Sequence, residues 1–205
     1  LGKTAMLGLQ YGAGAERFAE MVRVQGGPIG IEPISMNRAY EIVNLYRSLY
    51  GQVTELWRHC QEEVLPDIAA GCDHMQVDVN GWFVTQYEGF GRPGEPGVKY
   101  HNLKYDGEWS YTLGRNENIR IYGPKVVENL CQHAAMLIVM WQTAMIHQQY
   151  AVKLSVHDEA VCIEADENVE ACKAYVIKSL STLPKWCRGA MPVVGEVEIG
   201  DSYGD

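Results

Sequence analysis

The stretch LSVHDEAVCIE, residues 154–164, decides the expected fold. Residues 154–156 and 160–164 are short β-prone runs that meet at His157-Asp158-Glu159, which is typical of a β-hairpin with three polar residues at its tip. The two carboxylates are ionised at neutral pH and offer hard oxygen ligands to Mg²⁺. Such a tripeptide is most often a solvated turn. The apolar flanks predict instead that the three groups emerge from a buried element, which favours a site.

A long helix is predicted upstream of the hairpin. Pro124 suits its first turn, and apolar residues keep a 3.6-residue period from Val126 to Met145. Lys125, Glu128 and Gln132 form a polar stripe beside that apolar face, and taken alone this stripe is a solvent face. The Gln132 amide both donates and accepts hydrogen bonds, so it is also suited to a minor-groove edge of DNA, where every base pair presents an acceptor.

Further out, the chain changes character twice. Residues 1–70 read as helical: two short helices at 3–12 and 15–23, then an amphipathic stretch from 34 to 70 with Ser35 as its N-cap, forming one helix or two joined near Gly51. Residues 71–122 are punctuated by Gly and Pro and predict a β-rich, loop-heavy insertion. Residues 123–205 hold the long helix, the hairpin, a helix at 167–183 and a tail of turn and strand. This order predicts an α+β fold in which long helices pack on a small antiparallel sheet.

Lys3, Leu7 and Tyr11 are spaced to share one stripe of the first helix. The ammonium would neutralise a polyphosphate, while Leu7 and Tyr11 would offer an apolar surface to a sugar and base. The alternative is an amphipathic helix with a snorkelling lysine. Gly2-Lys3-Thr4 also matches the end of a P-loop, but long helices and a Gly-rich region follow it rather than alternating strands and helices.

Composition indicates which partners and which cellular compartment to expect. The 205 residues carry 17 Lys and Arg against 26 Asp and Glu, so the formal net charge of -9 predicts no general attraction to nucleic acid or anionic membrane. The most apolar run, residues 134–141, is too short to span a bilayer. No two of the six cysteines are within four residues of each other, which predicts reduced, mostly buried thiols in a cytoplasmic protein.

In this order, the motifs resemble the C-terminal fingers and palm of a bacteriophage-like family A DNA polymerase. KTAMLGLQYG at 3–12 resembles the fingers helix, and VHDE at 156–159 resembles the third palm motif. YGPKVVENLCQ at 122–132 resembles the helix that leads into that motif, and the tail with LPKW and GDSYG is similar to the family's ending. Single-subunit RNA polymerases share the fingers spacing, but they typically have serine as the third residue of the palm tripeptide.

The resemblance implies a role for each candidate residue. Lys3 would hold the incoming deoxynucleoside triphosphate, and Tyr11 would pack near the template base. Asp158 would ligate one of two catalytic Mg²⁺ ions with support from Glu159. Two further residues would contact the primer terminus and minor groove of the primer-template DNA: Gln132 and His157. The setting implied is DNA replication in the cytoplasm, that of the host if the protein is viral.

Two departures from the family pattern affect the expected activity. Leu7 stands where the family usually has an aromatic residue, so a ring stacked near the sugar is lost. The first palm motif, with the second metal-binding aspartate, and the basic residue before Lys3 are absent from this chain. We therefore expect a fragment that is inactive without upstream polymerase segments. The alternative from another class is a non-catalytic remnant that binds a nucleotide or nucleic acid.

Overall fold

The computed structural model describes residues 2–30, 32–187, 189 and 191–203, without the side chains of Lys3, Thr4, Leu7 and Ile29. Helices and small antiparallel sheets make up the described chain, which confirms the α+β prediction. The chain divides into two compact units, Leu1–Leu130 and Cys131–Asp205. The boundary between them lies inside one long helix.

The first unit begins with the predicted helices. These are α1 (Gly2–Leu9), α2 (Ala15–Gly26), α3 (Met36–Leu49), α4 (Gly51–His59) and α5 (Leu65–Ala69), with a short 3₁₀ turn at Gly27–Ile29 and a π-helical turn at Cys60–Val64. Ser35 caps α3 as predicted, because its hydroxyl accepts a hydrogen bond from the Arg38 N–H at 3.3 Å. Phe18, Val22 and Val43 are buried in the core that these helices share. The predicted apolar stripes thus face the core in part, since Leu45 and Leu49 of the same pattern are 59% and 69% exposed.

The Gly-rich region forms two three-stranded antiparallel sheets, which confirms its β-rich character. Their strands are β1 (Val84–Gln86), β2 (Gly89–Gly91), β3 (Val98–Lys99), β4 (His101–Asp106), β5 (Glu108–Leu113) and β6 (Asn116–Arg120). Gly89 is required because a Cβ there would collide with the carbonyl oxygen of Val98 on the neighbouring strand. Phe90 in β2 and Tyr100, which lies between β3 and β4, are fully buried, and their ring centroids lie 6.1 Å apart.

The long helix α6 (Gly123–His147) has Pro124 in its first turn, as predicted. Its first N–H, on Gly123, donates to Oε1 of Gln61 at 2.8 Å, which satisfies one unpaired group of the helix terminus. A Cβ on Gly123 would collide with the Trp57 carbonyl oxygen, so only glycine permits this close approach of α6 to α4.

The second unit holds the hairpin of β7 (Val152–Val156) and β8 (Glu159–Cys162), followed by a 3₁₀ turn at Asp166–Asn168, α7 (Val169–Leu180) and a 3₁₀ turn at Lys185–Cys187. Ile146, Cys172 and Val176 form its buried cluster. The predicted tail strand is wrong for residues 191–203, which form no strand. Val197 packs on the buried cluster and the Gly195 N–H donates to Ser181 Oγ, so packing and a side-chain hydrogen bond fix this segment without a partner strand.

Candidate functional site

The acidic tripeptide lies at the predicted hairpin, with a tighter tip than expected. Val156 pairs with Glu159, so only His157 and Asp158 form the turn and Glu159 begins β8. His157 has φ 52°, a left-handed conformation that closes a two-residue turn. All three side chains are exposed. The turn therefore presents an imidazole and a carboxylate from adjacent positions.

The expectation that these groups emerge from a buried element is wrong. Lys153, Leu154 and Ser155 of β7 are exposed, and Leu154 is 44% exposed although it is apolar. The physical reason is that the sheet has only two strands in the described chain, so one edge and much of one face of β7 remain uncovered.

The Glu159 carboxylate is engaged by the tail. Tyr203 donates its hydroxyl to Glu159 Oε2 at 2.8 Å, and this hydrogen bond is the main reason why the pKa of Tyr203 is raised. Asp158 and Glu159 therefore differ in their surroundings although they are adjacent in sequence. Sequence reasoning gave no sign of the Tyr203 contact, because 44 residues separate the partners.

A cleft of about 890 Å³ lies between α6 and the hairpin. Three of the predicted residues, Gln132, His157 and Asp158, line it together. Its floor is mostly apolar and comes from one face of α6, with these side chains at helical spacing: Ala135, Met136, Val139, Met140 and Thr143. Met136 and Met140 are 47% and 61% exposed, so the cleft is open to solvent. This cleft wall is a different face of α6 from the apolar stripe predicted as core, of which Leu130 and Ile138 are buried.

The three residues of the polar stripe predicted on α6 have different surroundings. Lys125 Nζ lies 2.5 Å from Glu128 Oε2, one turn apart, and this pair belongs to the first unit. Gln132 lies one turn further on, in the second unit. Gln132 therefore lines the cleft and is not part of the Lys125–Glu128 ion pair.

The donor set for a metal is incomplete. In the described ranges no three His, Cys, Asp or Glu residues come close enough together to hold a metal ion. Asp158 is one exposed carboxylate, and a two-metal site needs carboxylates shared between two ions that lie about 4 Å apart. The residues present do not by themselves fit the Mg²⁺ pair that the family resemblance implies.

The residues expected to contact the nucleotide, Lys3, Leu7 and Tyr11, lie in the first unit. Lys3 and Leu7 lie in α1, but their side chains are outside the described part of the structure. The predicted helix to residue 12 is too long, since α1 ends at Leu9 and Gly12 has φ 78°. Tyr11 therefore lies in a tightened turn, with its N–H bonded to the Gly8 carbonyl at 3.3 Å, rather than on a continuous helical stripe.

Tyr11 lines a smaller cleft of about 420 Å³ that the sequence did not indicate. Arg17, Arg120 and Tyr122 are among its other lining residues, and the Arg120 guanidinium lies 5.7 Å from the Tyr122 ring centroid. Glu108 pairs with Arg120 at 3.0 Å. Two aromatic rings and two guanidinium groups thus surround this opening. Tyr11 and Tyr122 belong to motifs read from the sequence. No local pattern could indicate that Arg17 and Arg120 line one cleft, because more than 100 residues separate them.

Comparisons of the chain with protein-family models, with curated proteins and with solved structures find no match.

Within the described residues, no helix has both the length and the apolar character that crossing a membrane requires.

Proposed function

We propose that this chain is the fingers and palm portion of a family A DNA-directed DNA polymerase, which adds deoxynucleotides to a primer 3′ end during DNA replication. One observation supports the proposal. One cleft is lined by Gln132, from the motif at 122–132, and by His157 and Asp158, from the motif at 156–159. The proposed setting is the cytoplasm, that of the host for a viral enzyme.

The chemistry of the cleft suits a primer terminus in duplex DNA. The Gln132 amide can donate to the acceptor that every base pair presents in the minor groove, which gives contact without sequence preference. His157 lies at the hairpin turn beside Asp158 and can donate a hydrogen bond to the primer strand. The apolar floor excludes water from the sugar faces of that strand.

Asp158 is the carboxylate that would contribute to a Mg²⁺ site, and Glu159 would support it from the first position of β8. The ions would supply charge stabilisation at the transferred phosphate. The proposal requires a second metal-binding aspartate that the motifs of this chain do not supply, so the chain alone is expected to be inactive. Lys3, Leu7 and Tyr11 are proposed to contact the incoming deoxynucleoside triphosphate and the template base.

The strand directions favour this proposal over a P-loop ATPase. Every strand pair in the described chain is antiparallel. A P-loop ATPase core is built on a parallel sheet with its glycine-rich loop after a strand. The incomplete metal donor set, by contrast, is compatible with a second candidate, a non-catalytic remnant that binds nucleic acid.

Primer extension by the complete gene product distinguishes these candidates. Asp158→Asn should reduce extension by roughly 100-fold or more, the usual scale for losing one charge-stabilising group, while binding of primer-template DNA is retained. Asp166→Asn is the matched control, since Asp166 is an exposed carboxylate in the same unit. Extension by Asp158→Asn at the wild-type rate would contradict the polymerase proposal. DNA binding by the wild-type protein without any extension would favour the remnant.

A further inference from the structure

A tight turn at residues 78–81 connects two short extended segments of the first unit. The segments pair through their backbones, since the Val77 N–H donates to the Phe83 carbonyl oxygen at 2.9 Å. Val77 and Phe83 are fully buried, whereas Asn80 and Gly81 at the tip are exposed. The paired segments therefore form a fixed base from which the tip projects into solvent.

The buried Asp78 carboxylate fixes the beginning of this turn. One of its oxygens accepts a hydrogen bond from the Asn80 N–H at 2.9 Å, and the other accepts one from the Phe83 N–H at 2.8 Å. The Gly81 N–H donates to the Asp78 carbonyl oxygen at 3.2 Å, the long end of the normal range. Opening of the tip therefore releases the Gly81 nitrogen first, because its hydrogen bond is the longest of the three.

The tip holds the one Asn-Gly pair of the sequence. Asparagine is among the thermolabile residues, because its amide carbon can close a five-membered ring with the next backbone nitrogen. Glycine has no Cβ, so Gly81 carries no side chain that would shield its nitrogen from Asn80. Every other asparagine of the chain precedes a residue with a side chain. Asn80 thus combines an exposed amide with an unshielded neighbouring nitrogen.

We propose that Asn80 is a site of spontaneous deamidation, in which the Gly81 nitrogen attacks the side-chain amide carbon of Asn80. A new C–N bond closes a cyclic imide as the C–NH₂ bond breaks, and the displaced group leaves as ammonia with the proton from the Gly81 nitrogen. Water then opens the ring. Its attack on the side-chain carbonyl carbon gives aspartate, and its attack on the main-chain carbonyl carbon gives isoaspartate. The whole sequence consumes one water molecule and releases one ammonia.

Both products change the tip of the turn. Each adds a carboxylate two positions after Asp78, whose own carboxylate already accepts the backbone N–H of residue 80. Isoaspartate also lengthens the main chain between Asp78 and Gly81 by one methylene group, so the turn no longer matches the spacing of the paired segments. The isoaspartate form should therefore unfold at a lower urea concentration than the unmodified protein. This inference is independent of the proposed polymerase function.

Peptide mapping of the full chain tests the proposal. The folded protein is incubated in mildly alkaline buffer made with H₂¹⁸O and is then cleaved in ordinary water by a glutamate-specific protease. Residues 64–88 form one peptide, in which Asn80 is the sole asparagine. That peptide should gain the mass of exchanging NH₂ for an ¹⁸O-labelled hydroxyl, and it should separate by chromatography into an aspartate and an isoaspartate form.

Two comparisons provide matched controls. Asn116 is also exposed but precedes Glu117, and Asn80 should lose its amide about tenfold faster or more, the barrier difference we assign to the missing side chain. Asn80→Gln keeps an exposed amide but would need a larger ring, so its peptide should keep its mass.

Three results would each overturn the proposal. The first is an Asn80 that keeps its amide in the folded protein, whether or not the urea-unfolded chain loses it. The second is loss of the amide from Asn116 at the same rate as from Asn80. The third is an aspartate product without isoaspartate, because opening of a cyclic imide gives both.

Discussion

Gln142 lies in α6 and is 3% exposed, and its amide fixes the end of α7. Nε2 donates to the carbonyl oxygens of Leu180 at 2.6 Å and Thr182 at 3.0 Å. The last carbonyls of a helix have no partner within the helix, so this side chain satisfies groups that would otherwise be unpaired. Gln142→Leu keeps the volume but removes both hydrogen bonds.

The expected cost follows from these two bonds. Each lost hydrogen bond costs about 1 kcal/mol, and an acceptor left buried without a partner raises this to about 1–3 kcal/mol, so Gln142→Leu should destabilise the second unit by about 2–4 kcal/mol. Urea unfolding followed by circular dichroism should show a lower midpoint with an unchanged slope. Gln149→Leu is the control, because Gln149 is exposed at the end of the same segment and its replacement should change stability by less than about 0.5 kcal/mol. Equal losses in both variants, or a loss below that limit for Gln142→Leu, would refute this account of α6 and α7 packing.

Three other changes test the remaining features. Gly123→Ala should cost about 1–3 kcal/mol in denaturant unfolding because its Cβ meets the Trp57 carbonyl, whereas Gly51→Ala, with open space at its Cβ, should not destabilise; equal effects would refute the close approach. Burial raises the pKa of the Cys60 thiol to about 12, above its unfolded value of about 8.5. The protonated Cys60 thiol therefore contributes fully to the free energy of unfolding below pH ~8.5, and this contribution is lost as the pH rises toward 12. Cys60→Ala should make the free energy of unfolding fall less steeply at alkaline pH, and parallel pH profiles of the two proteins would contradict this. Gln132→Ala in the complete gene product should raise the KM for primer-template by about tenfold, the scale of one good base contact, with a smaller effect on kcat; an unchanged KM would remove Gln132 from the site.

The helices and the hairpin were predictable because their signals are local. A 3.6-residue period in α6, the hydroxyl of Ser35 before α3 and the turn between β7 and β8 all act over a few residues. The end of α1 was misjudged because the apolar pattern continues past Leu9, while Gly12 adopts a positive φ that a helix cannot include. Backbone conformation at one glycine thus outweighed the pattern.

The candidate site was predictable only in part. Gln132, His157 and Asp158 line one cleft, and the motifs that named them are local. The contacts that join distant positions had no local signal. They include Arg120 beside the Tyr11 cleft and the Tyr203 hydroxyl on Glu159. Such pairings depend on how elements pack, which one sequence read by periodicity does not specify.

The methionines in the α6 cleft give the protein built-in reporters. The chain has eight methionines, and Met136 and Met140 line the cleft with exposed side chains. Labelling the methionine methyl groups with ¹³C would let nuclear magnetic resonance detect a bound duplex through those two resonances without altering any residue. Met36, exposed on α3 in the other unit, provides an internal reference signal in the same spectrum.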